Sequence, residues 1–215
     1  MKGFILCAGL GKRLRPLTEE IPKPLLPFLG KPLVQHILEK LKEAGIEEIG
    51  INLHWKPENV KEFFEKFKGE FNFHFFYEKE LLDTGGALKN AKEFLRGSNF
   101  IVINSDIIFD FSLKEIIEYH KKNKNFGTLL ITDNPETNNL NISKDGKLIE
   151  VSKKFSKNLK TFGGIAIYEP EILNLMEGKI FSIKEIWLKA LEKNLQIDSF
   201  FIEKEKWKEC GNIEN

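Results

Sequence analysis

The sequence predicts an α/β fold: a doubly wound, mostly parallel sheet flanked by helices, with a small antiparallel part in the second half. Three observations carry this expectation. Short β-rich runs alternate with segments of helical period through the first 130 residues, the pattern of βαβ units. Phe100-Ile101-Val102-Ile103 is a continuous apolar run, as expected of a strand covered on both faces. The opening run, Phe4-Ile5-Leu6-Cys7, breaks into a glycine-bearing loop, and open α/β sheets bind ligands at the carboxyl ends of their strands.

After the opening strand, Lys31-Pro32 starts a helix with proline in its first turn. Leu33, Val34, Ile37, Leu38 and Leu41 form one apolar face, and Gly45 closes it. Ile46 to Leu53 is a β-rich run. Pro57 opens a second helix with Val60, Phe63, Phe64 and Phe67 on one face and Gly69 at its end, and Phe71, Phe73, Phe75 and Tyr77 alternate as a strand. Glu80 to Gly86 reads as a second glycine loop before a helix from Ala87 to Leu95. The strand Phe100–Ile103 ends in Asn104-Ser105-Asp106, followed by a helix with Leu113, Ile116 and Ile117 inward and a strand from Gly127 to Thr132.

Residues 133–160 are less regular. Asp145-Gly146 supplies a hairpin turn between Asn141–Lys144 and Lys147–Ser152. Thr161 to Tyr168 reads as a strand, Pro170 precedes a short helix, and Ile183, Ile186, Trp187, Ala190 and Leu191 mark an amphipathic one. Gln196 to Ile202 is the last expected strand. No repeat, low-complexity tract or linker interrupts the pattern, so residues 1–215 read as one domain.

Composition narrows the class of function. Hydrophobic residues make up 41% and charged residues 30%, with a formal net charge of +1, so there is no bulk attraction to nucleic acid or to anionic membranes. No run approaches the ~18 apolar residues of a membrane span, and the amino end lacks the pattern of a secretion signal. A cytoplasmic location is expected. The two cysteines, Cys7 and Cys210, have no zinc-type spacing and no His/Asp arrangement that would make either a nucleophile. The four histidines form no pair with metal-ligand spacing.

The densest chemical signal runs from Cys7 to Pro24. Gly9 and Gly11 let backbone N–H groups turn toward an anion, and Lys12, Arg13 and Arg15 stand beside them. Of 33 basic residues only Arg13, Arg15 and Arg96 are arginine. Two of those three fall in this loop, where a planar fork suits phosphate. The dinucleotide fingerprint fails because Leu14 stands where its third glycine belongs, and the P-loop pattern is absent.

The string G-x-G-x-R-x-x-P-L-T followed by P-K-P resembles the signature of the sugar-1-phosphate nucleotidyltransferases, the nucleotide-sugar pyrophosphorylases. The likeness continues through E-L-L-D-T-G-G-A-L-K (Glu80–Lys89), V-I-N-S-D (Val102–Asp106), F-G-G-I-A-I-Y (Phe162–Tyr168) and W-K-E-C-G-N (Trp207–Asn212), and so covers essentially the whole chain. The phrase I-N-L-H-W near residue 53 is most similar to the short bacterial branch of N-acetylmuramate 1-phosphate uridylyltransferases and mannose- or heptose-1-phosphate guanylyltransferases.

The resemblance implies a Rossmann-like nucleotide-diphospho-sugar transferase fold and a direct displacement. A sugar 1-phosphate attacks the α-phosphorus of a nucleoside triphosphate, and pyrophosphate leaves without a covalent enzyme intermediate. It implies Mg²⁺ as cofactor, an NTP and a sugar 1-phosphate as the only partners, and a monomer or homodimer. Ala8, Gly9, Gly11 and Lys12 would meet the nucleotide, Arg13 the leaving pyrophosphate, and Lys23 the α-phosphate and sugar phosphate together. Glu80, Gly85 and Gly86 would line the base pocket, with backbone groups reading the base. Asp106 and Glu209 would hold the metal, and Asn104, Lys153, Lys154 and Gly164 would contact the sugar phosphate.

Two departures stand out. The family's second metal ligand is an aspartate in W-x-D-x-G-T, where this chain has Glu209 and, for the threonine, Asn212. The extra methylene shifts the carboxylate by roughly 1 Å, enough to alter a rate. The family's Glu-Lys pair after the hairpin reads V-S-K-K here, at Val151 to Lys154, and Glu150 would serve only from the other strand face or after a local irregularity. The departures motivate one alternative, a nucleotide-sugar-binding regulatory homologue with little or no turnover. The resemblance leaves a second, a cytidylyltransferase acting on phosphocholine or a similar small phosphate, since related enzymes use the same scaffold.

Overall fold

The computed structural model describes residues 1–211; Asn212 lies outside the described residues. From the amino end come β1 (Lys2–Leu6), α1 (Leu17–Glu20), the short ladder β2 (Pro27–Phe28) and β3 (Lys31–Pro32), α2 (Leu33–Glu43), β4 (Glu48–Leu53) and α3 (Pro57–Glu65). Next are β5 (Asn72–Tyr77), α4 (Asp83–Asn90), α5 (Lys92–Leu95), β6 (Phe100–Asn104), β7 (Ile107–Phe109), α6 (Leu113–Asn123) and β8 (Gly127–Thr132). The remainder is β9 (Leu140–Ile142), β10 (Leu148–Val151), β11 (Thr161–Tyr168), α7 (Ile183–Glu192), β12 (Ile197–Phe201) and β13 (Trp207–Glu209).

The central sheet has seven strands in the order β12-β8-β11-β6-β1-β4-β5. β11 runs antiparallel to both its neighbours, and every other pairing in this sheet is parallel. This is the expected mostly parallel architecture with its antiparallel part in the second half. The chain builds β4 and β5 on one side of β1, then crosses to β6 on the other. That reversal opens a crevice at the carboxyl ends of β1 and β6.

Alternation along the strands covers both faces. Ile5, Ile103 and Ile165 pack with Val34, Ile37, Phe64 and Ile116 of α2, α3 and α6. Phe4, Val102 and Ala166 pack with Leu88, Leu95 and Trp187 of α4, α5 and α7. In the second layer the indole N–H of Trp187 donates to the Tyr168 hydroxyl at 2.8 Å, with both side chains buried. Burial pushes the Tyr168 hydroxyl pKa up, so it stays protonated. Tyr168→Phe leaves that indole N–H without its acceptor and is expected to cost about 1–2 kcal/mol in urea denaturation.

Helix starts follow local chemistry. Ser112 and Ser182 each close a capping box at α6 and α7, with Glu115 and Glu185 reaching back. At the expected hairpin, the Ser143 hydroxyl and then Lys147 hold the Asp145 carboxyl down at about 2. The register shifts between Leu148 and Glu150, an irregularity of the kind that can change a side chain's face, and Glu150 is exposed. His120 is a core residue: its Nδ1 lies 2.9 Å from Thr128 Oγ1 and its Nε2 3.2 Å from Glu169. Burial lowers its pKa, against the opposing pull of Glu169.

Several elements differ from expectation. Lys31-Pro32, expected to open a helix, forms β3, with Pro32 capping α2 at Leu33, and α1 and β2 were not expected. α4 starts at Asp83, four residues earlier than Ala87, so Thr84, Gly85 and Gly86 are helical rather than looped. The glycines' poor helix propensity is offset because both donate their N–H groups to the Phe181 carbonyl, at 2.9 and 3.1 Å. The short helix expected after Pro170 is present as a 3₁₀ helix, Pro170–Leu175. Finally, β7 and β13 were not expected; they pair with each other antiparallel, outside the main sheet.

Candidate active site

At the carboxyl ends of β1 and β6 lies a cavity of about 500 Å³, with Ala8, Gly9 and Lys23 along one side and Asn104, Ser105 and Asp106 along another. A Cβ built on Gly9 would meet no protein atom within 4 Å, so the backbone there is bare toward open space. A wider depression of about 630 Å³ sits at the opposite edge, around Asn125, Glu169 and Gln196. It lies at the amino ends of β8 and β12, away from the glycine loop and its cations.

The glycine segment is more ordered than an open loop. Lys12–Leu14 and Lys23–Leu25 form 3₁₀ turns on either side of α1. Gly11 has φ +62, and a Cβ there would lie 2.6 Å from Thr18 Cγ2. Thr18 donates its hydroxyl to the Gly11 carbonyl at 2.8 Å and accepts the Trp55 indole N–H on its own carbonyl at 3.0 Å. Gly11 therefore folds the loop against Thr18 and beside Lys23 rather than lining the cavity. Pro22 and Pro24 are both buried, which clamps the backbone on each side of Lys23.

The Lys23 ammonium forms an ion pair with the Asp106 carboxylate, with side chains only 13% and 16% exposed. Arg13, on the rim, reaches Glu209 Oε1 at 3.2 Å. The β7–β13 ladder explains the second pair. Glu209 stands opposite Ile107, and the Cys210 N–H donates to the Asp106 carbonyl at 2.7 Å, so two acids 103 positions apart in sequence flank one ladder rung. Buried Trp207 anchors β13 by donating its indole N–H to the Gly163 carbonyl at 2.8 Å. Among the described residues no three His, Cys, Asp or Glu side chains come together as a metal cage.

Other expected residues fall in different places. Lys12 is exposed on the rim. Asn104 lines the cavity. Gly164, at φ +77, brings β11 against it, since a Cβ there would lie 3.1 Å from Asn104 Nδ2. Lys153 and Lys154 are exposed in the connection between β10 and β11 and do not line the cavity. Glu80 pairs with Lys179 at the surface, and Gly85 and Gly86 are buried under residues 179–181. None of these last three faces the cavity; Glu78, Leu81, Asp83 and Thr84 of the same stretch do.

A buried network that sequence reasoning missed sets the cavity floor. Asn52 Oδ1 accepts the Cys7 N–H at 2.7 Å, while Asn52 Nδ2 donates to Glu78 Oε1 at 2.8 Å. Glu78 Oε2 then accepts the Leu82 N–H at 3.0 Å, and the Glu78 carbonyl lies 2.8 Å from His54 Nδ1. An asparagine inside the apolar run I-N-L was the available signal. Asn52→Leu strands the Cys7 N–H and one Glu78 oxygen, and is expected to cost roughly 2–3 kcal/mol in chemical denaturation. The Cys7 thiol is no nucleophile, because burial pushes its pKa up.

The bare Gly9 backbone and two cation–carboxylate pairs at a switch point are an arrangement suited to a polyanionic ligand. A family profile described as nucleotidyl transferase matches residues 2–215. The chain belongs to the nucleotidyl transferase family. This nucleotidyl transferase is 34% identical over 215 aligned positions to a mannose-1-phosphate guanyltransferase of Hypocrea jecorina, a match covering 94% of this chain and 59% of that relative. The chain thus spans about three fifths of the length of the curated relatives it matches. Among solved structures, HddC from Yersinia pseudotuberculosis complexed with GMP-PN superposes with a TM-score of 0.81 at 27% identity, covering 99% of this chain and 95% of that one. UDP-glucose pyrophosphorylase complexed with UDP-glucose shares the fold, with a TM-score of 0.82 at 22% identity over 99% of this chain and 94% of that chain. Among the described residues no helix is long and apolar enough to cross a membrane.

Proposed function

We propose that this protein transfers a nucleoside monophosphate from an NTP to a sugar 1-phosphate. The observation that carries the reading is the pair of cation–carboxylate contacts, Lys23–Asp106 and Arg13–Glu209, set beside the bare Gly9 backbone. In the proposed step an oxygen of the sugar 1-phosphate forms a bond to the α-phosphorus while the bond to the bridging oxygen of the β-phosphate breaks. The electron pair leaves with pyrophosphate. Such a displacement asks the protein for positioning and charge stabilisation. Lys23, clamped between two buried prolines and only 13% exposed, holds the attacking and attacked phosphates together. Arg13, on the rim at 62% exposure, neutralises the departing pyrophosphate.

The donor set fits Mg²⁺, which is bound through one or two carboxylates plus substrate phosphates rather than by an all-protein cage. Asp106, just before β7, and Glu209, opposite Ile107 at the end of β13, are the residues that would hold it. Bound there, the ion would offset charge on the phosphate oxygens. The longer arm of Glu209 is matched by its contact with Arg13.

The names of the relatives support GTP and mannose 1-phosphate as the first pair to assay. The deciding experiment is a matrix of NTPs against mannose, glucose, heptose and N-acetylmuramate 1-phosphates, with phosphocholine as a further acceptor, read by pyrophosphate release with and without Mg²⁺. One pair far above the others supports the reading. Tight NTP binding with no release across the whole matrix supports the regulatory alternative instead, which Glu209 motivates.

A further inference from the structure

The Asp83-Thr84-Gly85-Gly86 stretch has a second role, one that rests on the nucleotidyltransferase reading for its ligand but not for its geometry. We infer that it is a docking slot for a strap, residues 178–181, and that the strap supplies Ile180 as an apolar wall for the nucleoside of the bound NTP. The first-turn N–H groups of a helix need acceptors from outside it. At α4 the Phe181 carbonyl takes two of them, from Gly85 and Gly86. Those donors are committed to the strap and are not free to read a base.

The fit requires both glycines. A Cβ on Gly86 would lie 2.4 Å from the Lys179 carbonyl oxygen, and one on Gly85 would lie 2.4 Å from the Phe181 ring. Four further contacts hold the strap down. Phe181 N–H donates to the Leu82 carbonyl at 3.2 Å, Ile183 N–H to Thr84 Oγ1 at 2.9 Å, and Lys89 Nζ to the Gly178 carbonyl at 2.6 Å. Lys179 pairs with Glu80. This accounts for Glu80 and Gly85-Gly86 away from the cavity they were expected to line.

The strap's one residue in the cavity wall is Ile180, 55% exposed, and across the slot Leu81 joins it at 36%. Two large aliphatic side chains left open to water, in a cavity wall that also carries Lys23, Asp106 and the bare Gly9 backbone, mark where an apolar ligand face belongs. Of the proposed substrates' parts, the phosphates belong with Lys23 and Arg13, and the nucleoside offers the flat apolar face.

Two measurements test this. Amide hydrogen exchange on the free protein is expected to show Gly85 and Gly86 protected by at least roughly 100-fold, unchanged on adding NTP. Fast exchange in the free protein, or protection gained only with NTP, overturns the docking slot. Equilibrium binding is then compared for GTP and for inorganic tripolyphosphate, which has no nucleoside. Ile180→Ser is expected to weaken GTP roughly 10-fold and to move tripolyphosphate by less than about twofold, with Ile180→Leu recovering most of the loss. Gly86→Ala, which lifts the strap, is expected to weaken GTP similarly, and the double variant no further, because the two changes act on one element. Equal losses for both ligands, or additive losses in the double variant, overturn the wall. Absence of GTP binding in the unaltered protein overturns it too, whereas binding without pyrophosphate release sinks only the proposed activity.

Discussion

Lys23→Ala is expected to lower the rate of pyrophosphate release by roughly 10³-fold while shifting thermal unfolding by no more than about 2–4 °C. The rate term is large because the ammonium is half of the charge balance at the cavity centre, held by buried Pro22 and Pro24 against Asp106. The stability term is small because Asp106, once unpaired, still faces a cavity of about 500 Å³, where water can solvate its carboxylate. Lys23→Arg separates charge from geometry. A guanidinium keeps the charge but is broader and planar, so in the 13%-exposed setting of Lys23 it is expected to recover less than about a tenth of the lost rate. Rate assays on purified variants, with circular dichroism melts alongside, check both halves. A near-normal rate for Lys23→Ala would remove this residue from the site.

Asp106→Asn is expected to be as damaging, again roughly 10³-fold in rate, with the fold retained. The substitution keeps shape and one carbonyl oxygen but loses the charge opposed to Lys23. Its distinguishing readout is the Mg²⁺ concentration giving half-maximal activity, which should rise by at least roughly 10-fold, whereas Lys23→Ala should leave it unmoved. Glu209→Gln should shift the same midpoint less, since Glu209 is 30% exposed and already shared with the rim residue Arg13. An Asp106→Asn enzyme with an unchanged Mg²⁺ midpoint would argue against a metal at that carboxylate.

Much of the sheet was legible because its strands are local statements. Phe100–Ile103 is apolar throughout and Thr161–Tyr168 falls between turn signals, and both appear as strands where periodicity put them. Apolar stripes likewise located α2, α3, α6 and α7; α2 buries every residue named from spacing, while α3 ends before Phe67 and fully buries only Val60 and Phe64 of its four, and α6 adds the unnamed His120. Strands β7 and β13 were not legible. Each is three residues long, too short to show a period, and each exists through the other. The Asp83–Gly86 turn of α4 was missed for a related reason: two glycines read as loop until a carbonyl 95 residues on supplies their acceptor.

By itself the sequence determined the mostly parallel sheet and singled out the Gly9–Lys23 segment as the densest run of glycine, arginine and proline. Glycine, arginine and proline act there through their own backbone and side-chain chemistry. Tertiary structure alone decided which carboxylates meet which cations. Lys23 faces Asp106 because β1 and β6 are neighbours in the sheet. Arg13 faces Glu209 because Trp207 pins β13 to Gly163 and β7. It also decided that Gly85 and Gly86 serve the strap and that Asn52 and Glu78 build the cavity floor. Those pairings join residues tens to nearly two hundred positions apart, and a long-range contact of that kind has no local period to betray it.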